Sequence, residues 1–257
     1  MRVTFLGTGA AGGVPLYGCG CTACKRAGNT PRCVRRPCSA LVESGDTRVL
    51  IDAGLTDLHE RFPPGSLDAI VLTHFHPDHV QGLFHLRWGK GLRIPVYAPP
   101  DSEGCADLYK HPGVLEFRAL AKFEVFTLGK LTLTPLPLIH SRVTFGYAIE
   151  SLAGGRFAYL TDTAGLPPRT LAHLQSWRAD ALALDCSHPP RTGPANHNDW
   201  TLAAEIVSSI APGQAWLTHV GHQLDEWLLH TAPVLPAGTT VAMDGDVIEV
   251  AGRPGHP

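Results

Sequence analysis

The stretch Leu72-Thr73-His74-Phe75-His76-Pro77-Asp78-His79 places four groups able to bind a metal or move a proton within six residues, at the end of an apolar run. Imidazole and carboxylate together suit zinc, manganese or iron and require no thiolate. In a compact turn that Pro77 helps to fix, His74 and His76 can face one metal while Asp78 and His79 face a second. Without a cation among them, so many polar groups behind a core strand would repel one another or stay unsatisfied. Three other apolar runs end the same way: "LPLIH" in His140, "FAYLTD" in Asp162 and "AWLTH" in His219. If these runs are neighbouring strands, their ends meet on one rim of the sheets, where α/β folds bind ligands. Asp162 would then bridge two ions through its two oxygens, with His140 completing one site and His219 the other.

Cys19-x-Cys21-x2-Cys24, in "YGCGCTACKRAG", is a second cluster. Three thiols so close read as a zinc knot, since thiolate is a preferred structural ligand of zinc. The fourth ligand must come from elsewhere: Cys33, Cys38 or a distant histidine. His222, three residues past His219 in "THVGHQ", can point away from the first cluster toward this one.

The elements that would carry these groups are mostly strands. "VTFLGTG", "SALVESG", "RVLIDAG", "DAIVLTH", "IPVYAPP" and "LTLTPLPL", then "FGYAIES", "RFAYLTD", "DALALDC", "QAWLTH", "TTVAMDG" and "DVIEVAG", are short apolar runs closed by Gly, Pro, Asp or a polar residue. Helical spacing shows in "HVQGLFHLRWG", "PDSEGCADLYKH", "LPPRTLAHLQSW", "NDWTLAAEIVSSIA" and "QLDEWLLH", with Asn198 or Asp199 as a cap. Two packed sheets with helices outside, a four-layer α/β arrangement, is the fold this predicts. No repeat or composition shift divides the chain, so residues 1–257 are expected to be one domain.

Composition sets outer bounds. Hydrophobic residues make up 44% and charged residues 17%, enough for a sizeable core and too little charge for a disordered chain. A net charge of −2 gives no general basic surface for nucleic acid or anionic membrane. Gly7-Thr8-Gly9 breaks the N-terminal apolar block too early for a signal peptide. The expected location is therefore the cytoplasm, where seven cysteines serve as metal ligands or core residues rather than as disulfides.

The motif "THFHPDH", the upstream "LIDAG" with Asp52, and His140, Asp162 and His219 in that order resemble the metallo-β-lactamase superfamily across essentially the whole chain. With the cysteine loop, "HVQGLFHLRWG", "PVYAPPDSEGCADLYKHPG", "TPLPLIHS", "TFGY", "DTAGLP" and "DCSHPP", the chain is similar to the PhnP-type cyclic phosphodiesterases of the carbon–phosphorus lyase pathway. The resemblance implies an αββα sandwich with an N-terminal Cys-rich zinc-binding loop. It implies two Mn2+ (or Zn2+) at His74, His76, Asp78, His79, His140, Asp162 and His219. It also implies one structural Zn2+ on Cys19, Cys21, Cys24 and His222, with Cys33 a rival for the last place. Catalysis falls to His197, in the loop "PANHNDW" before a helix, as general acid, together with Asp78. The implied reaction is hydrolysis of 5-phosphoribosyl 1,2-cyclic phosphate to ribose 1,5-bisphosphate, with a homodimer as the expected assembly and neither nucleic acid nor membrane as a partner. Two cations would lower the pKa of a water held between them, so Ser141 beside His140 need not be a nucleophile. Arg142 and Arg191 are candidates for the substrate's 5-phosphate, though a solvated arginine explains either equally well.

Other readings compete. Gly7-x-Gly9-x-x-Gly12 matches a dinucleotide fingerprint, but "GVPLYGCGC" follows in place of the required helix, so these glycines read as a tight turn near the rim. A tRNA 3′-processing endonuclease shares the metal core but needs a basic arm for RNA, which is absent. A β-lactamase or thioester hydrolase does not account for the cysteine loop. A non-catalytic protein organised by zinc at the thiols would leave the histidine cluster without metal.

Overall fold

The computed structural model describes residues 1–252; the last five residues of the expected 1–257 domain lie outside them. β1 (Arg2–Gly7), β2 (Ser39–Ser44), β3 (Thr47–Ile51), β4 (Ala69–Val71), β5 (Ile94–Ala98) and β6 (Leu115–Ala119) lie side by side in one sheet. β7 (Phe126–Leu128), β8 (Leu131–Pro137), β9 (Phe145–Ser151), β10 (Arg156–Leu160), β11 (Ala181–Asp185), β12 (Gln214–Thr218) and β13 (Thr239–Val241) form the second, also in chain order. β14 (Val247–Glu249) returns to pair with β1. Each half starts antiparallel and turns parallel, at β3–β6 and at β10–β13.

Alternation along the strands fixes the layers. Val49 and Ile51 of β3 face the same core as Phe157 and Tyr159 of β10 and Ala181 and Ala183 of β11, all nearly sealed from solvent. The intervening Leu50 packs outward with Ile70 and Leu72 on α2 (Leu58–Arg61), α3 (Pro77–Val80), α4 (Leu83–Leu86) and α5 (Ala106–Lys110). These helices follow α1 (Thr22–Asn29), which belongs to the cysteine loop. On the far side, Leu160, Leu182, Leu184 and Leu217 pack on α6 (Pro168–Trp177), α7 (Trp200–Ile210) and α8 (His222–Thr231). Every strand buried on both faces therefore reads as a continuous apolar run. Each fully buried leucine contributes about 2 kcal/mol by its removal from water. The result is the four-layer αββα sandwich.

All twelve predicted strands are present, joined by β6 and β7. "HVQGLFHLRWG" forms no single helix. Its start belongs to α3, and Gly82 separates α3 from α4 where a Cβ would sit 2.1 Å from the Leu55 carbonyl oxygen. Asp199, not Asn198, caps α7, accepting from the Leu202 amide at 2.9 Å. Among the described residues no helix is long and apolar enough to cross a membrane.

Candidate active site

The rim is built by strand ends. β4 runs through Leu72 and Thr73 into His74, β10 through Thr161 into Asp162, and β12 directly into His219. β8 reaches His140 three residues past Pro137, and Asp52 follows β3. Asp52, Asp162 and His219 have φ of 58°, 61° and 57°, a left-handed conformation that costs a residue with a Cβ about 1–2 kcal/mol. Their neighbours hold them there. Thr73 donates its amide (2.7 Å) and hydroxyl to Asp52, Thr161 donates its hydroxyl to Asp162 Oδ1 at 2.7 Å, and Ser187 Oγ meets His219 Nδ1 at 2.8 Å. The N-terminal glycine turn belongs to this rim too: Val220, next to His219, donates to the Thr8 carbonyl and accepts from the Ala10 amide.

Asp162 stands at the centre, almost wholly buried. Its Oδ2 lies 3.6 Å from His74 Nε2 and 3.7 Å from His140 Nε2. Its Oδ1 lies 3.3 Å from His79 Nε2 and 3.4 Å from His219 Nε2. Asp78 Oδ2 completes the second group at 3.3 Å from His79 Nε2 and 3.7 Å from His219 Nε2. In the first group His76 Nδ1 approaches His74 Nε2 at 2.8 Å and His140 Nε2 at 3.0 Å. His74, His76, His140 and Asp162 thus form one donor set, and Asp78, His79 and His219 another.

These donors fit cations. The outer nitrogens are engaged: His79 Nδ1 donates to Asp52 Oδ2 at 2.8 Å, His140 Nδ1 to the Asn196 carbonyl at 2.9 Å, and His74 Nδ1 lies 3.0 Å from Thr73 Oγ1, whose proton goes to Asp52. The inner nitrogens then carry lone pairs aimed at common points. His79 Nε2 and His219 Nε2 are buried without a hydrogen-bond partner, which a native interior rarely tolerates. A divalent cation bound by imidazole and carboxylate resolves both features.

The charges agree. Burial alone would lower the pKa of His79, but Asp162 and Asp52 raise it well above its ordinary value. His219 is likewise raised to about 9, burial being outweighed by Asp162 and Asp78. Burial would raise Asp162, yet His219, His79 and His74 hold it well below the usual carboxylate range. Burial and His79 lower His74 strongly. The buried carboxylates demand positive charge, and without metal only protons on imidazole can supply it.

His197 stands at the edge of this cluster. Its ring stacks on His219, with centroids 4.7 Å apart, and Nδ1 donates to Asp185 Oδ2 at 2.9 Å. Asp185, the last residue of β11 and completely buried, also accepts from the Thr163 amide and the Ser187 hydroxyl. Arg142 is bound to Asp101, Nε to Oδ2 at 2.9 Å, so a carboxylate of the chain already occupies this guanidinium. The Arg191 amide donates to Asp199 Oδ2 at 2.8 Å, while its guanidinium reaches the Ala195 carbonyl and forms no ion pair among the described residues.

The cysteine loop is a separate centre. Cys19, Cys21, Cys24 and His222 bring their donor atoms within 4.8 Å of one another, with His222 Nδ1 3.5 Å from Cys19 Sγ and 3.7 Å from Cys21 Sγ. His222 opens α8, and Cys21 caps α1, accepting from the Cys24 amide. Thus His222, not Cys33, joins the thiols. Cys38 lies in the inter-sheet core against Tyr159 and Thr218, where burial pushes its thiol up to about 11. Three thiol sulfurs and one imidazole nitrogen gathered this closely suit zinc.

Residues 47–220, just over two thirds of the chain, match the beta-lactamase superfamily domain. An octanoyltransferase of Porphyromonas gingivalis is 29% identical over 241 residues, which are 86% of this chain and 46% of that protein. This chain thus spans less than half of that relative's length. The probable metallo-hydrolase YhfI of Bacillus subtilis is 29% identical over 199 residues, 71% of this chain and 79% of that one. Among solved structures, a diphosphatase of the PhnP family superposes with a TM-score of 0.80 at 30% identity, covering 98% of this chain and 99% of the other. The metallo-hydrolase and the diphosphatase point to a hydrolase, and the fold family implies a divalent metal, which the donor sets fit. By this match over most of its length, carried on two seven-stranded sheets, the chain belongs to the metallo-β-lactamase superfamily.

Proposed function

We propose that the chain is a phosphodiesterase that hydrolyses 5-phosphoribosyl 1,2-cyclic phosphate to ribose 1,5-bisphosphate, acting in phosphonate degradation by the carbon–phosphorus lyase route. The observation that carries this reading is the placement of His197, backed by Asp185, directly against the donor cluster. The likeness to the PhnP-family diphosphatase over nearly the full length of both chains supports it.

His74, His76, His140 and one oxygen of Asp162 would hold one divalent cation. Asp78, His79, His219 and the other oxygen of Asp162 would hold the second. Manganese is the proposed metal at both, and zinc at Cys19, Cys21, Cys24 and His222. Two such cations supply a water of lowered pKa and positive charge for phosphoryl oxygens. The product keeps its phosphate on C1, so the bond that breaks joins phosphorus to O2, and O2 departs as an alkoxide that needs a proton. His197 gives that proton from Nε2, while Asp185 fixes the proton on Nδ1 and the plane of the ring. Asp162, bound by the Thr161 hydroxyl, keeps its two oxygens directed at the two donor sets.

The test is an assay of the cyclic ribose phosphate beside linear diesters, a phosphoanhydride and pre-tRNA, with manganese added back after chelation. Preference for the cyclic phosphate supports the proposal. Cleavage of pre-tRNA or of the anhydride in its place moves the protein to a neighbouring activity. No turnover, with zinc retained at the thiols, would leave a binding protein.

A further inference from the structure

A cavity of about 480 Å³ lies away from the donor cluster, between the loop after α2 and the segment after α4, and shares no wall residue with the site. That volume falls within the range of small-molecule sites. Phe62, Leu67, Trp88, Leu92, Ile94 and Val114 give it an apolar lining. Trp88 is 68% and Leu92 76% exposed, so this concavity shows large apolar side chains to solvent. Such a patch marks a binding surface more often than a scatter of single residues does.

The tryptophan is held in place. Arg87, itself buried, lays its guanidinium 4.7 Å from the Trp88 ring and donates to Asp107 Oδ2 at 2.6 Å. Two basic side chains of the lining, Lys90 and Arg93, have no carboxylate within ion-pair distance among the described residues. Asp68, the acidic residue of the lining, accepts from the Arg48 amide at 2.7 Å. His59 and His85, from α2 and α4, add two imidazoles with centroids 4.0 Å apart. The walls are apolar and aromatic, and at them Lys90 and Arg93 outnumber the one carboxylate, Asp68, which is turned to the Arg48 amide.

We propose that this cavity is a second binding site, for a small aromatic carboxylate. The ring lies against Trp88 and the apolar walls, and the carboxylate meets Lys90 and Arg93. A phosphorylated sugar would leave the apolar walls uncovered, and a neutral arene would leave the two cations unanswered.

The probe is 2-naphthoate, titrated calorimetrically into the metal-loaded full chain, with thermal melting as a second readout. Binding should raise the melting temperature by mass action. Trp88→Ala and the double variant Lys90→Gln with Arg93→Gln should each weaken binding by about tenfold or more, as should the neutral 2-naphthamide, because stacking and charge each contribute. Each unliganded variant should melt as the parent does, which separates a lost site from a lost fold. Equal binding of naphthoate and naphthamide, or unchanged affinity in the double variant, overturns the proposal. So does a dimer in sedimentation that Trp88→Ala converts to monomer, since a second copy would then cover this face.

Discussion

Asp185 Oδ2 lies 2.9 Å from His197 Nδ1, and the carboxylate is sealed from solvent while the imidazole is partly open. Nδ1 is thereby committed, and Nε2 is the nitrogen left for a leaving group. General acid catalysis of this kind contributes about 10²–10⁴-fold. His197→Ala should lower turnover of an alkyl diester by that order, with metal content by mass spectrometry unchanged. A p-nitrophenyl diester should lose far less, because p-nitrophenolate departs without a proton. Equal losses on both substrates would remove His197 from proton transfer.

Asp185 itself gives a second prediction. Its Oδ1 accepts from Ser187 Oγ at 2.7 Å, and its Oδ2 from the Thr163 amide and His197 Nδ1, each at 2.9 Å. In Asp185→Asn an amide nitrogen must face one of these groups. Two of the three contacts are fixed N–H donors, so the new nitrogen belongs on the Ser187 side, and the negative charge behind His197 is gone. We expect a stability loss of about 1–3 kcal/mol by denaturant melting. Turnover of an alkyl diester should fall while its KM holds, and the p-nitrophenyl substrate should be less affected. A matching fall on both substrates would make Asp185 purely structural.

Metal removal should cost more stability at high pH than at low. In the metal-free protein Asp162, assisted by Asp52 for His79 and by Asp78 for His219, raises both imidazoles above their unfolded value of 6.5, His219 to about 9. A raised imidazole stabilises fully below its unfolded pKa, and that contribution disappears as pH rises through the folded one. Protons therefore stand in for cations near pH 6, and the His219 proton is lost as pH rises through about 9. Cation binding also strengthens as its ligands deprotonate. The melting-temperature gap between loaded and chelated protein should widen across this window; a constant gap would contradict the assigned charge balance.

At the cysteine centre, His222→Ala should remove one zinc per chain and leave the cations at the histidine cluster. Cys33→Ser should remove none, since Cys33 lies outside the four-atom group. Metal analysis after dialysis distinguishes the two. Loss of zinc in Cys33→Ser alone would reverse the assignment.

The site was legible where strand ends carry a ligand and illegible where the same rule was not pressed. "FAYLTD" pointed to Asp162, but "DALALD" ends in Asp185 in the same way, on the adjacent parallel strand, and drew no functional reading. Asp52 was visible in "LIDAG", yet its role in orienting His79 depends on a contact 27 residues away. β6 escaped because it is a half-exposed edge strand carrying the Glu116–Arg118 pair. α1 offers only the small residues Ala23, Cys24 and Ala27 as its buried face, and it is placed by the Cys21 cap and by contacts to α8, such as Arg26 to Asp225 at 3.0 Å, that no local pattern encodes. Arg142 looked available to substrate until Asp101, 41 residues earlier, came alongside it.

Gly54, two residues beyond Asp52, shows how closely the backbone is packed behind the donor cluster. A Cβ there would lie 1.7 Å from the carbonyl oxygen of Asp78 and 2.8 Å from its carbonyl carbon. The nearest obstacle is main chain, not a flexible side chain, so α3 must shift to admit a methyl group. Overpacking of this kind costs about 1–3 kcal/mol. Because α3 carries both Asp78 and His79, the shift should also misplace two donors of the second set. Gly54→Ala should therefore lose cation binding at Asp78, His79 and His219 while retaining zinc at the thiols and more of the binding at His74, His76 and His140. Stepwise metal titration read by calorimetry would show the second binding event weakened. Two undisturbed events in a protein of unchanged melting temperature would mean that α3 does not depend on the absent side chain.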